Sequence, residues 1–328
     1  MRTNKTPLSL ADLNCRKKQK QTRIQNFLRE VKVKIDFKFC NKWHEEEHGK
    51  QKGRKAFDTK VMIKIILLQQ WYGLSDAEME ESIYDRNSFQ EFLEINANDE
   101  IPDETTICRF RKKMIEKKRD KELFKEVDKQ LTEDGIKIRK GKIVDATFLE
   151  TPKGKKKKDG NNTRDKEASF TKKNNRTYHG YKGHISTDTK GEYIQKTHVS
   201  TAKDHDSVHE TKVLDGDEDA VFGDSAYANK DKKKRYRKEG KFYGIVERAY
   251  KNKPLANKQK KKNKKISSVR CRGEHPFAEI KCRMKYKARY IGERKNEWQF
   301  KMVALAYNLK RWIGKYNPAQ KQAIIWYT

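Results

Sequence analysis

Two aspartates follow short apolar runs of the sequence, where a carboxylate is costly to bury. Asp145 comes after Ile143-Val144, and Asp224 comes after Val221-Phe222-Gly223. A charge in such a strand needs a partner, either a metal ion or a basic side chain. The carboxyl ends of central strands are also where α/β sheets commonly expose their sites. We therefore expect the two carboxylates to bind divalent cations through oxygen, the ligand that Mg²⁺ prefers.

A third acid is needed if the substrate is a phosphodiester. Two metal ions about 3.5–4 Å apart activate the attacking oxygen and stabilise the leaving one, so at least three carboxylates must converge. Glu274 is the best candidate, because the string RCRGEHPFAEIK begins a helix near Pro276 and surrounds this acid with cations. Arg270 and Lys281 are then placed to hold phosphates beside the metal ions.

The charge of the chain indicates a polyanionic partner. The 328 residues include 79 Lys plus Arg against 47 Asp plus Glu, a formal net charge of +32. Only 34% of the residues are hydrophobic, and the mean hydropathy is −1.15. Such a protein repels itself and is attracted to nucleic acid, which is the first candidate partner.

No segment of the sequence predicts secretion or membrane insertion. The N-terminal residues lack an apolar stretch behind their positive charges. The most apolar segment, 61–74, is interrupted by Lys64 and Gln69-Gln70 and is too short to span a bilayer. The five cysteines form no C-x-x-C pair, which argues against a disulfide framework or a zinc ribbon. We expect a cytoplasmic, nucleoid-associated protein of a prokaryotic cell, with reduced thiols.

The first half of the chain predicts helices. Residues 1–55 are interpreted as a basic, partly disordered arm in which Phe27, Leu28 and Val31 could form a short helix. Residues 56–135 are interpreted as an all-α N-terminal DNA-binding domain. A helix over 58–71 should end at Gly73, and Ser75 with Glu78 forms a capping box for the next helix. Residues 75–104 are acidic, and this face is expected to point away from DNA.

The sign of the charge reverses after Pro102-Asp103, where a further helix should begin. Its Ile107, Phe110 and Met114 recur at helical spacing, so one side of the helix is expected to be buried. The basic residues on the remaining faces suit a DNA-contacting, helix-turn-helix-like element, although a merely solvated helix fits them nearly as well. These residues are Arg109, Arg111, Lys112 and Lys113.

From residue 136 the periodicity becomes that of strands and helices in alternation, which predicts an α/β domain over 136–328. Residues 142–149 and 220–222 are predicted to be strands, and 181–200 a hairpin that turns at 188–191. A helix is expected over 297–312. Two lysine-rich segments, 152–175 and 251–265, have almost no apolar residues and are predicted to be disordered loops beside the site.

Several strings of the sequence, in their order, resemble those of insertion-sequence DDE transposases of the IS-five group and its IS-four relatives. The resemblance covers about residues 57–312 and includes the order Asp145, Asp224, Glu274 and the spacing Arg-x₃-Glu-x₆-Lys. The other matching strings are IPDETTICRFRKKM, VDATFLETP, RDKEASFTKK, YHGYKGHISTD, TAKDHD, VFGDSAY and ALAYNLKRW. One departure is Ser267, which stands where the related pattern often has tyrosine.

The resemblance implies a ribonuclease-H-like mixed sheet flanked by helices, with Asp145, Asp224 and Glu274 as catalytic, metal-binding acids. It implies Mg²⁺, which Mn²⁺ can replace, and cleavage at the ends of an element followed by strand transfer into target DNA. The partner would be double-stranded DNA at the terminal inverted repeats and the target, bound by a homodimer. The residues expected to bind DNA phosphates are Arg270, Lys281, Arg109, Arg111, Lys112 and Lys182.

Two other interpretations compete with this one. The string His44-Glu45-Glu46-Glu47-His48 fits the H-E-x-x-H zinc-protease pattern literally, but its helix is charged on nearly every face. Cys40 near these histidines offers a chance metal site. The second alternative is a non-catalytic DNA-binding protein in which the aspartates are turn residues.

The remaining polar residues are expected to be structural: His184, His205, His209, Asp188, a capping Asp206, and Glu279.

Overall fold

The computed structural model describes residues 22–48, 56–96, 99–136, 141–152, 154, 163–173, 175–250 and 254–316. Its helices are α1 (Arg23–Lys34), α2 (Phe39–His48), α3 (Thr59–Tyr72), α4 (Asp76–Asp85), α5 (Asn87–Leu93), α6 (Glu104–Glu116), α7 (Arg119–Glu133), α8 (Asp206–Val213), α9 (Lys230–Lys238), α10 (Asn257–Arg270), α11 (Glu274–Ala278) and α12 (Glu293–Tyr316). The strands are β1 (Gly141–Glu150), β2 (Ser169–Lys173), β3 (Arg176–Asp188), β4 (Ile194–Thr201), β5 (Ala220–Gly223) and β6 (Phe242–Ile245).

The predicted helix starts and ends in the first half are confirmed. Gly73 ends α3 in a left-handed conformation with φ of 66°, and Ser75 forms the capping box with Glu78 at the start of α4. Asp103 caps α6 through the backbone N–H of Thr106. Each signal is local, because a cap satisfies backbone groups within one turn of the helix end.

The prediction of a loose arm is wrong for residues 22–48. Thr22 caps α1 in a capping box with Gln25. Leu28, Val31 and Trp43 are 2%, 0% and 5% exposed and join the main core. The energy of burying these apolar side chains, roughly 1.5–3 kcal/mol each, explains why the two helices pack in spite of their polar composition. Residues 1–21 and 49–55 of the predicted arm lie outside the described residues.

The sheet is mixed and has β1 at its centre. Strand β1 pairs antiparallel with β3 on one side and parallel with β5 on the other, and β5 pairs parallel with β6. Strands β2 and β4 pair antiparallel with successive stretches of β3. The hairpin of β3 and β4 turns where it was predicted, and Asp188 accepts hydrogen bonds from Gly191 and Tyr193 backbone N–H groups as a turn residue.

The helical first half and the sheet share one core. Helix α12 contacts β3 and β4 on one side and α1, α3 and α7 on the other. Trp71 of α3 donates its indole N–H to the carbonyl of Ala306, at 2.9 Å. On the opposite face of the sheet, a smaller apolar cluster holds Val144, Val221 and Tyr227. Helix α12 therefore joins the segment predicted as a separate helical domain to the sheet.

The lysine-rich segments are more ordered than predicted. Helix α10 occupies Asn257–Arg270, so the prediction of a disordered loop is wrong for 257–265. Strand β2, Ser169–Lys173, occupies the end of the segment 152–175. The parts 153, 155–162, 174 and 251–253 lie outside the described residues. Among the helices described, none is both long and apolar enough to cross a membrane.

Candidate active site

Asp145 and Asp224 each lie just beyond the paired part of two parallel strands, β1 and β5. The β1–β5 register ends with Ile143 opposite Phe222, and each aspartate stands two residues beyond this pair. Neighbouring strands run about 4.8 Å apart, and residues two apart share a face of the sheet. Asp224 keeps an extended backbone, with φ of −70° and ψ of 165°, before a short 3-10 turn begins. The two carboxylates therefore project from the same face of the sheet.

Glu274 reaches the same face through a tight turn. After α10 ends at Arg270, the chain passes over β1 in a 3-10 turn and begins α11 at Glu274. A Cβ atom placed on Gly273 would lie 2.7 Å from Cγ2 of Ile143 and 3.9 Å from Cβ of Asp145. Since a side chain at position 273 would collide with β1, glycine lets the turn lie directly on the strand, next to Asp145.

The electrostatics of Asp145 report which charges surround it. Burial raises the pKa of Asp145 to about 6, the Ala146 N–H and the Arg270 guanidinium lower it, and the Glu274 and Asp224 carboxylates raise it. Both other acids and one cation are therefore within electrostatic range of this carboxylate. Arg270 in turn donates to Oε1 of Glu274 at 3.1 Å.

This set of ligands suits a hard divalent cation. It consists of carboxylate oxygens, which Mg²⁺ and Mn²⁺ accept, and a bound cation would relieve the repulsion that Glu274 and Asp224 exert on Asp145. The three acids do not form a cluster with all ligand oxygens within 4.8 Å; among the described residues, Asp215, Asp217 and Glu218 form the group that does. The wider spacing is compatible with acids shared between two ions about 3.5–4 Å apart.

A cleft of about 700 Å³ begins directly beside Asp145. Strand β1 pairs with β5 only as far as Ile143, so its later residues present a free edge on that side among the described strands. Four lysines and three aromatic residues line the cleft: Lys172, Lys182, Lys281, Lys287, Phe148, Tyr178 and Tyr286. The cleft is thus basic, contains aromatic rings and is continuous with the strand that carries the first acid.

Lys281 is fixed at the edge of this cleft. It lies within a π-helical turn, Glu279–Arg283, a geometry that is often found at functional sites. Its ammonium donates to Oγ1 of Thr147 at 2.6 Å and to the carbonyl of Phe148 at 2.8 Å. Thr147 stands two residues after Asp145 on the same face of β1, so the charge of Lys281 is held close to the acids. Glu279 points elsewhere, to Lys310 and Arg283, as expected.

Arg111 was predicted to contact DNA, and its surroundings contradict this. Its side chain is 5% exposed and pairs with Asp76 and the hydroxyl of Tyr290. The guanidinium is therefore used inside the protein, where it links α6 to α4 and to the segment before α12. Arg109 and Lys112 are exposed on the outer face of α6, so a role in DNA binding remains a prediction for these two.

Lys182 and the histidines are tied to neighbouring groups. Lys182 lines the cleft, yet its ammonium is 2.9 Å from Asp206 and donates to the Asp204 carbonyl. Burial lowers the pKa of His184 to about 3, so this ring is neutral at physiological pH. His205, and not Asp206, caps α8, which corrects the predicted cap.

The zinc-protease pattern forms part of a packing contact. His44 lies 3.3 Å from Oγ1 of Thr59, Glu46 pairs with Arg119, and Glu47 lies 3.3 Å from Lys117. Cys40 is fully buried, and burial raises the pKa of its thiol. A buried, protonated thiol is a poor metal ligand. The side chain of His48 lies outside the described part of the chain.

Two cleft residues, Lys172 and Lys287, were not singled out from the sequence. A signal was present for Lys287, because basic and aromatic residues alternate in 281–290, a pattern typical of nucleic-acid contacts. No comparable signal marked Lys172, which reaches the cleft because β2 pairs with β3.

The raised pKa of Asp145 predicts a pH-dependent gain in stability for Asp145→Asn. An unfolded aspartate ionises near its ordinary pKa of 3.8, whereas the folded carboxyl ionises near 6. The wild-type fold therefore loses stability as pH rises from about 4 through 6, and it does not regain it above. The effect of Asp145→Asn on the free energy of unfolding is therefore measured without metal at pH 7.5 and at pH 4. We expect it to be more stabilising at pH 7.5 than at pH 4 by roughly 1–3 kcal/mol. Urea unfolding at both pH values measures this, and equal effects would contradict it.

Comparison with known proteins identifies the family of the chain. Residues 16–113 match a family model described as a transposase domain of the group DUF772. Residues 137–309, more than half of the chain, match the family model of the transposase DDE domain, and this range contains Asp145, Asp224 and Glu274. No solved structure matches the chain significantly. DDE transposases cleave DNA and transfer its strands with the help of divalent metal ions. The chain belongs to the family of transposases with a DDE domain.

Proposed function

We propose that this protein is the transposase of an insertion sequence, which binds terminal inverted repeats and catalyses Mg²⁺-dependent cleavage and strand transfer through Asp145, Asp224 and Glu274. The main support for the proposal is that the turn before Glu274 packs on β1 beside Asp145, and that the Glu274 and Asp224 carboxylates act together to raise the pKa of Asp145. Their order along the chain and the spacing of Arg270, Glu274 and Lys281 support membership of the IS-five group.

The sheet topology supports a ribonuclease-H-like catalytic domain. In that arrangement a central first strand pairs antiparallel with one neighbour and parallel with a strand that comes later in the chain. Here β1 pairs in this way with β3 and β5, and β6 extends the parallel side. Asp145 is on the central strand and Asp224 at the end of the adjacent parallel strand, where the strands separate. A site at the diverging ends of two neighbouring strands is open to a large substrate.

The roles of the residues follow from their charges. The three carboxylates would hold Mg²⁺ or Mn²⁺, which supplies Lewis-acid activation of a phosphate and of the attacking oxygen. The guanidinium of Arg270 is positioned to contact a phosphate and to orient Glu274, to which it already donates. Lys281, held by Thr147 and Phe148, fixes a second positive charge on the side of the cleft. A phosphate between these two cations would lie beside the acids.

The basic cleft gives the DNA strand a path away from the acids. Lys172 and Lys287 are exposed at its lining, and each can neutralise a backbone phosphate. The exposed Arg109 and Lys112 of α6 are proposed to contact the duplex of the element end. Joining two ends requires two catalytic centres, so a homodimer is the assembly we propose.

A plasmid assay tests the proposed function. The DNA flanking the gene is searched for short inverted repeats, and a supercoiled plasmid carrying them is incubated with the protein and Mg²⁺. We expect nicks at the repeat ends, and fewer on a plasmid with scrambled repeats. A non-catalytic DNA-binding protein, the alternative function, would bind the same plasmid without cutting it in Mg²⁺ or Mn²⁺. That result with an intact, DNA-bound protein would overturn the proposal.

A further inference from the structure

Helix α10 carries an unusual concentration of positive charge. The segment 251–270 contains no acidic residue, and five lysines on the outward side of α10 are exposed. These are Lys258, Lys260, Lys261, Lys264 and Lys265. None of the five has an acidic side chain within 4.0 Å among the described residues. Their charges are therefore available to a partner.

The inward side of α10 explains why so repulsive a segment is a helix. Ile266 is 1% exposed, Gln259 donates to the Glu247 carboxylate at 2.7 Å, and Asn263 exchanges two hydrogen bonds with the Glu247 backbone. Lysine itself has a high helix propensity. The outward pairs Lys260–Lys264 and Lys261–Lys265 still repel each other at helical i, i+4 spacing. A polyanion laid along this face would remove that repulsion.

The direction of α10 relates this face to the active site. The helix packs against β5 and ends at Arg270, whose guanidinium is bound to Glu274. From Lys258 to Arg270 the helix advances about 18 Å, at 1.5 Å per residue. The phosphate backbone of a duplex that lies along the outward face would therefore extend towards the three acids. The cleft with Lys172 and Lys287 lies along β1 and β3, whereas α10 packs against β5.

The chemistry of the face indicates what kind of DNA it fits. Its outward side chains from 258 to 268 are lysines and Ser267 and Ser268, with no Arg, Asn or Gln among those that are exposed. Lysine acts as a point charge on phosphates and carries no base-reading geometry of its own. Such a surface binds DNA without regard to its sequence. A strand-transfer enzyme needs this property for its target, which differs from one event to the next.

We infer that the outward face of α10 is the docking surface for the target duplex, separate from the cleft and from α6. The inference rests on the proposed function, because strand transfer requires a second duplex as its target. Each lysine that neutralises a phosphate releases a counterion, so the face contributes to the salt dependence of binding. It contributes nothing to the choice of element ends.

The test compares two triple variants of the full chain. The first is Lys260→Gln, Lys261→Gln and Lys264→Gln on α10. The matched control is Lys121→Gln, Lys125→Gln and Lys129→Gln on the exposed side of α7, which removes the same charge from a face that also carries Glu122 and Glu126. Binding to a random-sequence duplex, about three helical turns long, is measured across salt concentrations, and end cleavage and joining to a target plasmid are measured in one reaction.

We expect the α10 variant to bind the random duplex roughly tenfold or more weakly, with the log–log salt slope reduced by about 2–3. Joining should fall by a similar factor and recover at low salt, while end cleavage stays within about threefold of wild type. If the α10 variant binds the random duplex as tightly as the α7 control does, the α10 face is not a DNA-binding surface. If the α10 variant loses end cleavage and joining by the same factor, the α10 face does not bind the target duplex specifically. Absence of end cleavage by the wild type would instead contradict the proposed function, and the duplex-binding comparison judges the surface independently.

Discussion

Asp145→Asn is expected to lower the rate of metal-dependent DNA cleavage by about 10³-fold or more. The substitution keeps the size of the side chain but removes the charge at the centre of the acidic set, where Asp224 and Glu274 already act on it. Loss of metal-held charge stabilisation costs several kcal/mol in the transition state, and each 1.4 kcal/mol is a factor of ten in rate. Duplex binding should change by less than about threefold, because the lysines supply most of the nonspecific affinity.

The matched control for this variant is Asp217→Asn. Asp217 lies with Asp215 and Glu218 in a second acidic group, but it is exposed in the loop before β5. The control should cleave DNA as the wild type does. Single-turnover cleavage of an end-containing duplex, at protein concentrations above those needed for binding, measures both. A cleavage rate for Asp145→Asn within tenfold of wild type would contradict the catalytic assignment.

Asp120→Ala is expected to cause the largest loss of stability, about 3–5 kcal/mol. Asp120 is fully buried and pairs with Lys301 at 2.7 Å and with Arg294 at 2.9 Å. Its removal leaves Lys301, with a side chain 10% exposed, as a buried charge without its partner. The pair joins α7 to α12, so the variant also tests whether the first half of the chain and the sheet unfold together.

Urea unfolding followed by circular dichroism measures the effect of Asp120→Ala. The transition should stay single and move to lower urea. Glu122→Ala is the control on the same helix: its carboxylate pairs with Arg119 at 2.7 Å, but its side chain is 51% exposed. Exposed pairs contribute little, so the control should lose less than about 1 kcal/mol. If Asp120→Ala loses no more free energy of unfolding than the control, the buried ion pair does not hold α7 to α12. If the transition splits in two, the first half of the chain and the sheet do not share one core.

Local signals predicted much of the fold. The caps at Ser75 and Asp103, the end of α3 at Gly73 and the turn at Asp188 each depend on residues a few positions apart. The capping box of Thr22 with Gln25 was also readable, and the apolar residues that follow it predict a short helix, but the arm interpretation did not predict that this helix joins the core. Overall composition outweighed the local pattern in that interpretation.

The errors arose where the deciding partner is distant in sequence. Arg111 meets Tyr290, 179 positions later, and no local pattern reveals that this basic side chain is buried. The α10 lysines suggested a repulsive loop because the groups that hold the helix, above all Glu247, lie outside the segment. The cleft depends on where the pairing of β1 with β5 stops, which is a property of the sheet register.

The candidate acids themselves were recognisable from sequence, because each follows a short apolar strand or begins a helix between cations. Their proximity was expected from the chemistry of the site, but no local pattern of the sequence shows it. It depends on the parallel register of β1 with β5 and on the glycine that lets the turn before Glu274 lie on β1. The cationic string and the family resemblance both indicated Glu274, and the close packing of Gly273 on β1 gives the physical reason for its position.

Binding of Mn²⁺ to the DNA-free protein, followed by electron paramagnetic resonance, tests most directly whether the three acids form one metal centre. We expect Asp145→Asn, Asp224→Asn and Glu274→Gln each to weaken Mn²⁺ binding by about tenfold or more, whereas Asp217→Asn should leave it unchanged. Unaltered Mn²⁺ binding by Glu274→Gln, or loss of binding with Asp217→Asn alone, would contradict the proposed centre.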